Sequence, residues 1–134
     1  MANTTFTGPV RSENGFEDVT KNATTGAFTT NATYNATITG GVQSLSGAGA
    51  VDLTNLVTEL TTTGANALTL ADGSTSGQVK IVNMIVDGGD GTLTPVTFAN
   101  GTTITFDAVA ESVTLVWNST IGWGATSVNG ATVA

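Results

Sequence analysis

Along this chain apolar and polar residues alternate at a spacing of two, and helical spacing is scarce because Thr, Val, Gly and Asn recur in nearly every window. Alternation at that period puts successive side chains on opposite faces of an extended strand. In the clearest run Val79, Ile81 and Ile85 alternate with Gln78, Lys80 and Met84. The run stops at Asp87-Gly88-Gly89-Asp90-Gly91, a cluster of turn formers. The same reasoning predicts strands over 94–98, 102–106, 112–117 and 121–125, with Asn100-Gly101 as a hairpin turn between the first two. Short strands at this spacing, joined by Gly or Asn turns, predict an all-β fold: an antiparallel β-sandwich or small barrel.

Upstream, Leu68 and Leu70 precede Asp72-Gly73, and Val57 to Thr63 forms a Thr-rich candidate strand. Residues 53–60 could instead make two helical turns, with Asp52 or Thr54 as N-cap. Residues 40–50, with Gly-Gly and Gly-Ala-Gly, predict a linker or crossover. It separates an N-terminal stretch, 1–39, from a main β domain, 51–134. Within the first stretch, residues 1–20 read as an extended arm and 28–38 as one or two polar strands. Tyr34 and Ile38 are too few to form a separate core, so this part is expected to pack on the later domain or on another chain. Asn-Ala-Thr occurs at Asn22, Asn31 and Asn35, too unevenly spaced for a structural repeat.

Composition changes the picture by what it excludes. The length of 134 residues suits one domain with a substantial core. Only 10% of the residues are charged, so polarity is carried by hydroxyls and amides, with 28 threonines. The chain has no His and no Cys, which excludes a histidine base, a thiolate nucleophile, Cys/His zinc sites, iron–sulfur clusters and disulfides. Arg11, Lys21 and Lys80 are the only cations against a net charge of −7, too few to neutralise the phosphates of a nucleic acid. Neither a basic-then-apolar leader nor a long apolar run occurs, so a soluble protein made in the cytoplasm, without a membrane partner, is expected.

Each candidate for chemistry has a plainer reading beside it. Asp87 and Asp90 could offer oxygens to calcium, but the loop lacks the spaced third acid and closing Glu of an EF-hand, and Asp side chains commonly cap such turns. Asp107 and Glu111 form the best carboxylate pair for glycoside hydrolysis, yet no aromatic residue clusters near them, and a solvated turn is expected. Trp117 and Trp123 flank Asn118-Ser119-Thr120-Ile121-Gly122, the pattern of a hairpin with one indole on each strand. Trp117, in an apolar run, is expected in the core, and Trp123, between two glycines, at an interface. The six Asn-x-Ser/Thr sequons reflect composition. Arg11 and Lys21, among Glu13, Glu17 and Asp18, form a mixed-charge patch suited to docking the arm on a polar partner.

The stretches Thr61-Thr62-Thr63-Gly64-Ala65-Asn66-Ala67-Leu68-Thr69-Leu70-Ala71-Asp72-Gly73, Gly77-Gln78-Val79-Lys80-Ile81, Thr102-Thr103-Ile104-Thr105-Phe106 and Ser112-Val113-Thr114-Leu115-Val116-Trp117 resemble a β module of tailed-bacteriophage structural proteins, among them capsid decoration and head-fibre proteins. Phe6-Thr7-Gly8-Pro9-Val10-Arg11-Ser12-Glu13-Asn14-Gly15-Phe16 is similar to the opening of cyanophage virion proteins. The resemblance implies a non-enzymatic virion surface protein without cofactor or metal, a homotrimer whose partner is the major capsid protein. The short chain favours a decoration, or cement, protein over a carbohydrate-binding fibre or knob. On this reading Phe6, Val10 and Phe16 anchor the arm to the shell by apolar contact, Arg11 and Lys21 anchor it by polar contact, and Trp123 is a further interface residue.

Overall fold

The computed structural model describes residues 16–22, 24–34 and 41–134, without the side chains of 16–21 and 28–34. The chain divides into two units, Met1–Ile38 and Thr39–Ala134. In the first, β1 (Phe16–Lys21) pairs antiparallel with β2 (Phe28–Tyr34). Asn22 makes the connecting turn: its Oδ1 accepts from the Thr24 and Thr25 amides, both at 2.9 Å, and Gly26 takes φ +74°. Residues 16–20, expected within an extended arm, are thus part of a hairpin strand.

The second unit contains β3 (Val42–Ser46), β4 (Gly49–Val51), β5 (Val57–Thr61), β6 (Asn66–Leu70), β7 (Val79–Val86), β8 (Gly91–Pro95), β9 (Ile104–Phe106), β10 (Ser112–Asn118), β11 (Gly122–Asn129) and β12 (Thr132–Val133). They form two five-stranded sheets, ordered β11-β10-β7-β5-β3 and β12-β9-β8-β6-β4. The sheets pack as an open sandwich, not a closed barrel. The all-β sandwich is as expected, but its ladders are mixed: β3, β5 and β7 run parallel to one another, as do β4, β6 and β8.

Parallel strands need a crossover, usually a helix. Here each crossover is a strand of the opposite sheet. The chain passes from the first sheet to the second in β3–β4, again in β5–β6 and again in β7–β8, three turns of a flattened coil. It then reverses: β9 pairs antiparallel with β8, β10 with β7, β11 with β10 and β12 with β9. Residues 40–50, expected as a linker or crossover, contain β3 and the first two residues of β4, the strands of the first turn. The alternative helix over 53–60 does not form, since β5 begins at Val57. Asp52 nevertheless acts like a cap, its Oδ1 accepting from the Thr54 amide at 3.1 Å and the Asn55 amide at 2.8 Å.

The core lies between the sheets. Leu68, Leu93 and Ile104 occupy one register row of the second sheet, and Leu60 pairs with Met84 and Val82 with Val113 in the first. All of these are essentially buried. At one end, Trp117 and Trp123 face each other across β10 and β11 with ring centroids 5.4 Å apart, tilted by 58°. Asn118 shapes their hairpin, its Oδ1 accepting from the Thr120 and Ile121 amides, and Gly122 follows at φ +90°. Asn100-Gly101, expected as a hairpin turn, lies instead in the long 96–103 connection between β8 and β9, where Asn100 Oδ1 accepts from the Ala125 amide at 2.8 Å.

Candidate functional site

The two outer faces of the sandwich differ in chemistry. On the second sheet, Ala67, Thr92, Thr105 and Thr132 stand in one register row across β6, β8, β9 and β12, and Ala50, Thr69 and Thr94 in another. These positions alternate with the buried Leu68, Leu70, Leu93, Ile104 and Phe106, so they point outward and present methyls and hydroxyls to solvent. On the first sheet the outward positions are more apolar. Val42, Val57 and Ile81 share a row across β3, β5 and β7, and Val79 pairs with Val116 in the next. Val42 is 51% exposed and Val79 38%. Five β-branched aliphatic side chains thus form a contiguous outward patch, with Glu59, Asn83 and Ser112 in the polar row along one side.

On β7 it is the residues at the parity of Lys80 that face inward. Val79, Ile81 and Ile85 face outward, while Lys80, Val82 and Met84 face the interior. A shift of one residue moves every side chain to the other face. Lys80 therefore sits at an inward position and is 1% exposed. Its Nζ donates to the Asn55 carbonyl at 2.8 Å and lies 3.5 Å from Asp52 Oδ1. Asp52 Oδ2 in turn accepts from Asn55 Nδ2 at 2.7 Å. Burial raises the Asp52 pKa, but the Asn55 donors, the Lys80 charge and the Thr54 amide together outweigh it and hold the carboxyl below its ordinary 3.8. For Lys80 burial dominates over the attraction of Asp52, so its ammonium gives up its proton more readily than that of a solvated lysine. The sequence reading missed this cluster; its signal was Val82 and Met84, apolar residues at the same parity as Lys80.

Within the second unit the residues singled out from the sequence form no single site, although Trp117 meets Trp123 and the Asp107 amide meets Glu111. Trp123, expected at an interface, is fully buried; its indole Nε1 donates to the Ala71 carbonyl at 2.9 Å, which corrects that assignment. Trp117 is in the core, as expected. Asp87 Oδ1 accepts from the Gly89 amide at 2.9 Å, the capping arrangement. Glu111 is nearly buried, and its Oε2 accepts from the Asp107 amide at 2.7 Å, so it closes a turn between β9 and β10. Among the described residues no group of three or more Asp or Glu side chains is gathered to hold a metal ion. Phe6, Val10 and Arg11 lie outside the described residues; Phe16 opens β1 and Lys21 closes it, their side chains outside the description.

Compared with known protein families, the chain matches none, and no curated protein is significantly similar to it.

Proposed function

We propose that this protein is a capsid decoration, or cement, protein of a tailed bacteriophage, a homotrimer on the outside of the head that links neighbouring major capsid proteins. The observation that carries the reading is the contrast between the two outer faces of the sandwich. A threonine-covered face is compatible with water on every strand, whereas a patch of Val42, Val57, Val79, Ile81 and Val116 loses free energy by staying wet. The aliphatic patch is the surface for contact between copies, and the threonine face is the one left to solvent. The shell contact belongs to the N-terminal unit, including Phe6, Val10, Arg11, Phe16 and Lys21. Three such attachments per trimer act at high effective concentration, so each contact can be weak. The alternative, a fibre or knob protein that would use Trp123 and loop acids to hold host polysaccharide, is less favoured because that indole is enclosed.

The test is location and assembly together. Electron microscopy of particles carrying the protein should show three-fold density distributed over the head, and Ile81→Lys should yield folded monomers by light scattering. Density confined to a tail or fibre, or absence of the protein from finished particles, overturns the reading. Deleting residues 1–15, which precede β1, should abolish binding to heads while leaving the trimer intact.

A further inference from the structure

Lys80, Asp52 and Asn55 are arranged in a way that an ordinary buried ion pair does not require. The carboxylate has one oxygen toward the amine and the other on a carboxamide nitrogen. Asp52 Oδ1 is 3.5 Å from Lys80 Nζ, while Oδ2 accepts from Asn55 Nδ2 at 2.7 Å. The Asn55 main-chain carbonyl accepts from Nζ at 2.8 Å and holds it against the residue that carries the carboxamide. The Thr54 and Asn55 amides, both donating to Oδ1, fix the carboxylate between its neighbours. Gly41 completes the arrangement: the Asn55 Oδ1 occupies the place where a Cβ at position 41 would stand.

We infer that Lys80 and Asn55 are joined by an isopeptide bond that the folded chain forms on itself, with Asp52 as the proton-transfer group. A lysine nucleophile is activated when its amine is desolvated beside a base, and Lys80 is 1% exposed with a carboxylate as its ion-pair partner. The Lys80 ammonium passes a proton to Asp52 Oδ1, and the neutral amine attacks Asn55 Cγ to form the N–C bond. Asp52 then returns a proton to Nδ2, the nitrogen its other oxygen already contacts, and the C–N bond to that nitrogen breaks. One ammonia leaves; it takes up the remaining proton as ammonium, and Asp52 ends as the carboxylate it began as. No oxidant, metal or other reactant enters. Holding amine, carboxamide and acid within one fold replaces an encounter that would be prohibitively slow between free groups. Asp52 is 31% exposed, which gives ammonia a way out. The bond would tie the entry to β5 directly to β7, its parallel neighbour, across a loop that now depends on hydrogen bonds.

The test is the mass of the full-length protein, purified folded and measured under denaturing conditions. It should be lighter than its sequence by one ammonia. Trypsin acting on the denatured chain should fail to cut after Lys80, because an acylated lysine is not a substrate, and fragmentation should place the link between Asn55 and Lys80. Lys80→Arg keeps the cation but should restore the full sequence mass, and Gly41→Ala, which retains Lys80, Asp52 and Asn55 but displaces the Asn55 amide, should lower the linked fraction. A wild-type chain at its full sequence mass that trypsin cuts after Lys80 overturns the inference, even if both variants misfold. A mass deficit of one water, or a link mapped to another pair, also overturns it. None of these readouts depends on where the protein binds.

Discussion

Replacing Trp123 with phenylalanine tests whether that residue is a core element or a contact surface. The indole is fully buried, packs on Trp117 at 5.4 Å between centroids and donates to the Ala71 carbonyl at 2.9 Å. Phenylalanine keeps an aromatic ring but loses the donor. Ala71 is exposed, so water can take up its carbonyl and the lost bond costs about 1 kcal/mol. The smaller ring also leaves a void beside Trp117 that the surrounding loops fill only partly, costing about another 1–2 kcal/mol. Roughly 2–3 kcal/mol in a domain of this size lowers Tm by about 10–20 °C. Thermal and urea unfolding, followed by far-UV circular dichroism, should show this with oligomeric state and particle binding unchanged at low temperature. A variant with wild-type Tm that has lost association or binding would refute the reasoning, as would ready quenching of both wild-type tryptophans by iodide.

Three further perturbations probe separate contacts. Asp52 is held below its ordinary 3.8, the Asn55 backbone amide being the largest of the causes that lower it, so the unfolded chain binds more protons than the folded one around and below that pH; stability should therefore fall as pH drops through this range in urea titrations. A Cβ at Gly73 would overlap the Trp117 ring, so Gly73→Ala should destabilise by about 1–3 kcal/mol and shift tryptophan fluorescence. Ala110 adopts φ +72°, and Ala110→Gly should stabilise by about 0.5–1 kcal/mol in chemical denaturation, the relieved left-handed strain exceeding the entropy cost of glycine.

The tryptophan hairpin was legible because its signals are local: an Asn able to bond amides two and three residues ahead, a Gly for positive φ, and an apolar run entering the turn. The parallel coil was not. Parallel pairing is normally recognised by the helix between strands, and here the intervening segment is another strand, so the chain reads like a series of hairpins. Asn100-Gly101 misled for a related reason, since the Asn100 side chain bonds an amide in β11 rather than its own turn. The cluster around Lys80 was obscured by the rule that charge faces water. In β7 both parities carry aliphatic residues, and the choice between them was settled by partners distant in sequence, Asp52 and Asn55. The aliphatic patch was hidden for the same reason, since its rows are set by pairing between distant strands.

The first turn of the coil shows why the polar interior groups gather where they do. Among the described residues β3 and β4 are both edge strands, each paired on one side, and β4 is only three residues long. Proteins commonly guard such edges with lysines, but this chain has three cations in all. Its defence is internal. Gln43 bridges the two strands from inside the sandwich, its Nε2 donating to the Ala50 carbonyl at 2.8 Å and its Oε1 accepting from the Asp52 amide at 2.9 Å and the Thr58 hydroxyl at 2.8 Å. Asp52, where β4 ends, begins the cluster that reaches Asn55 and Lys80. Leucines in these places would bury more apolar area, but they would fit equally well after a slip along strands built mostly from Ser, Thr and Val. Hydrogen bonds with fixed partners do not survive such a slip, so they set the register of the turn on which the later two stack.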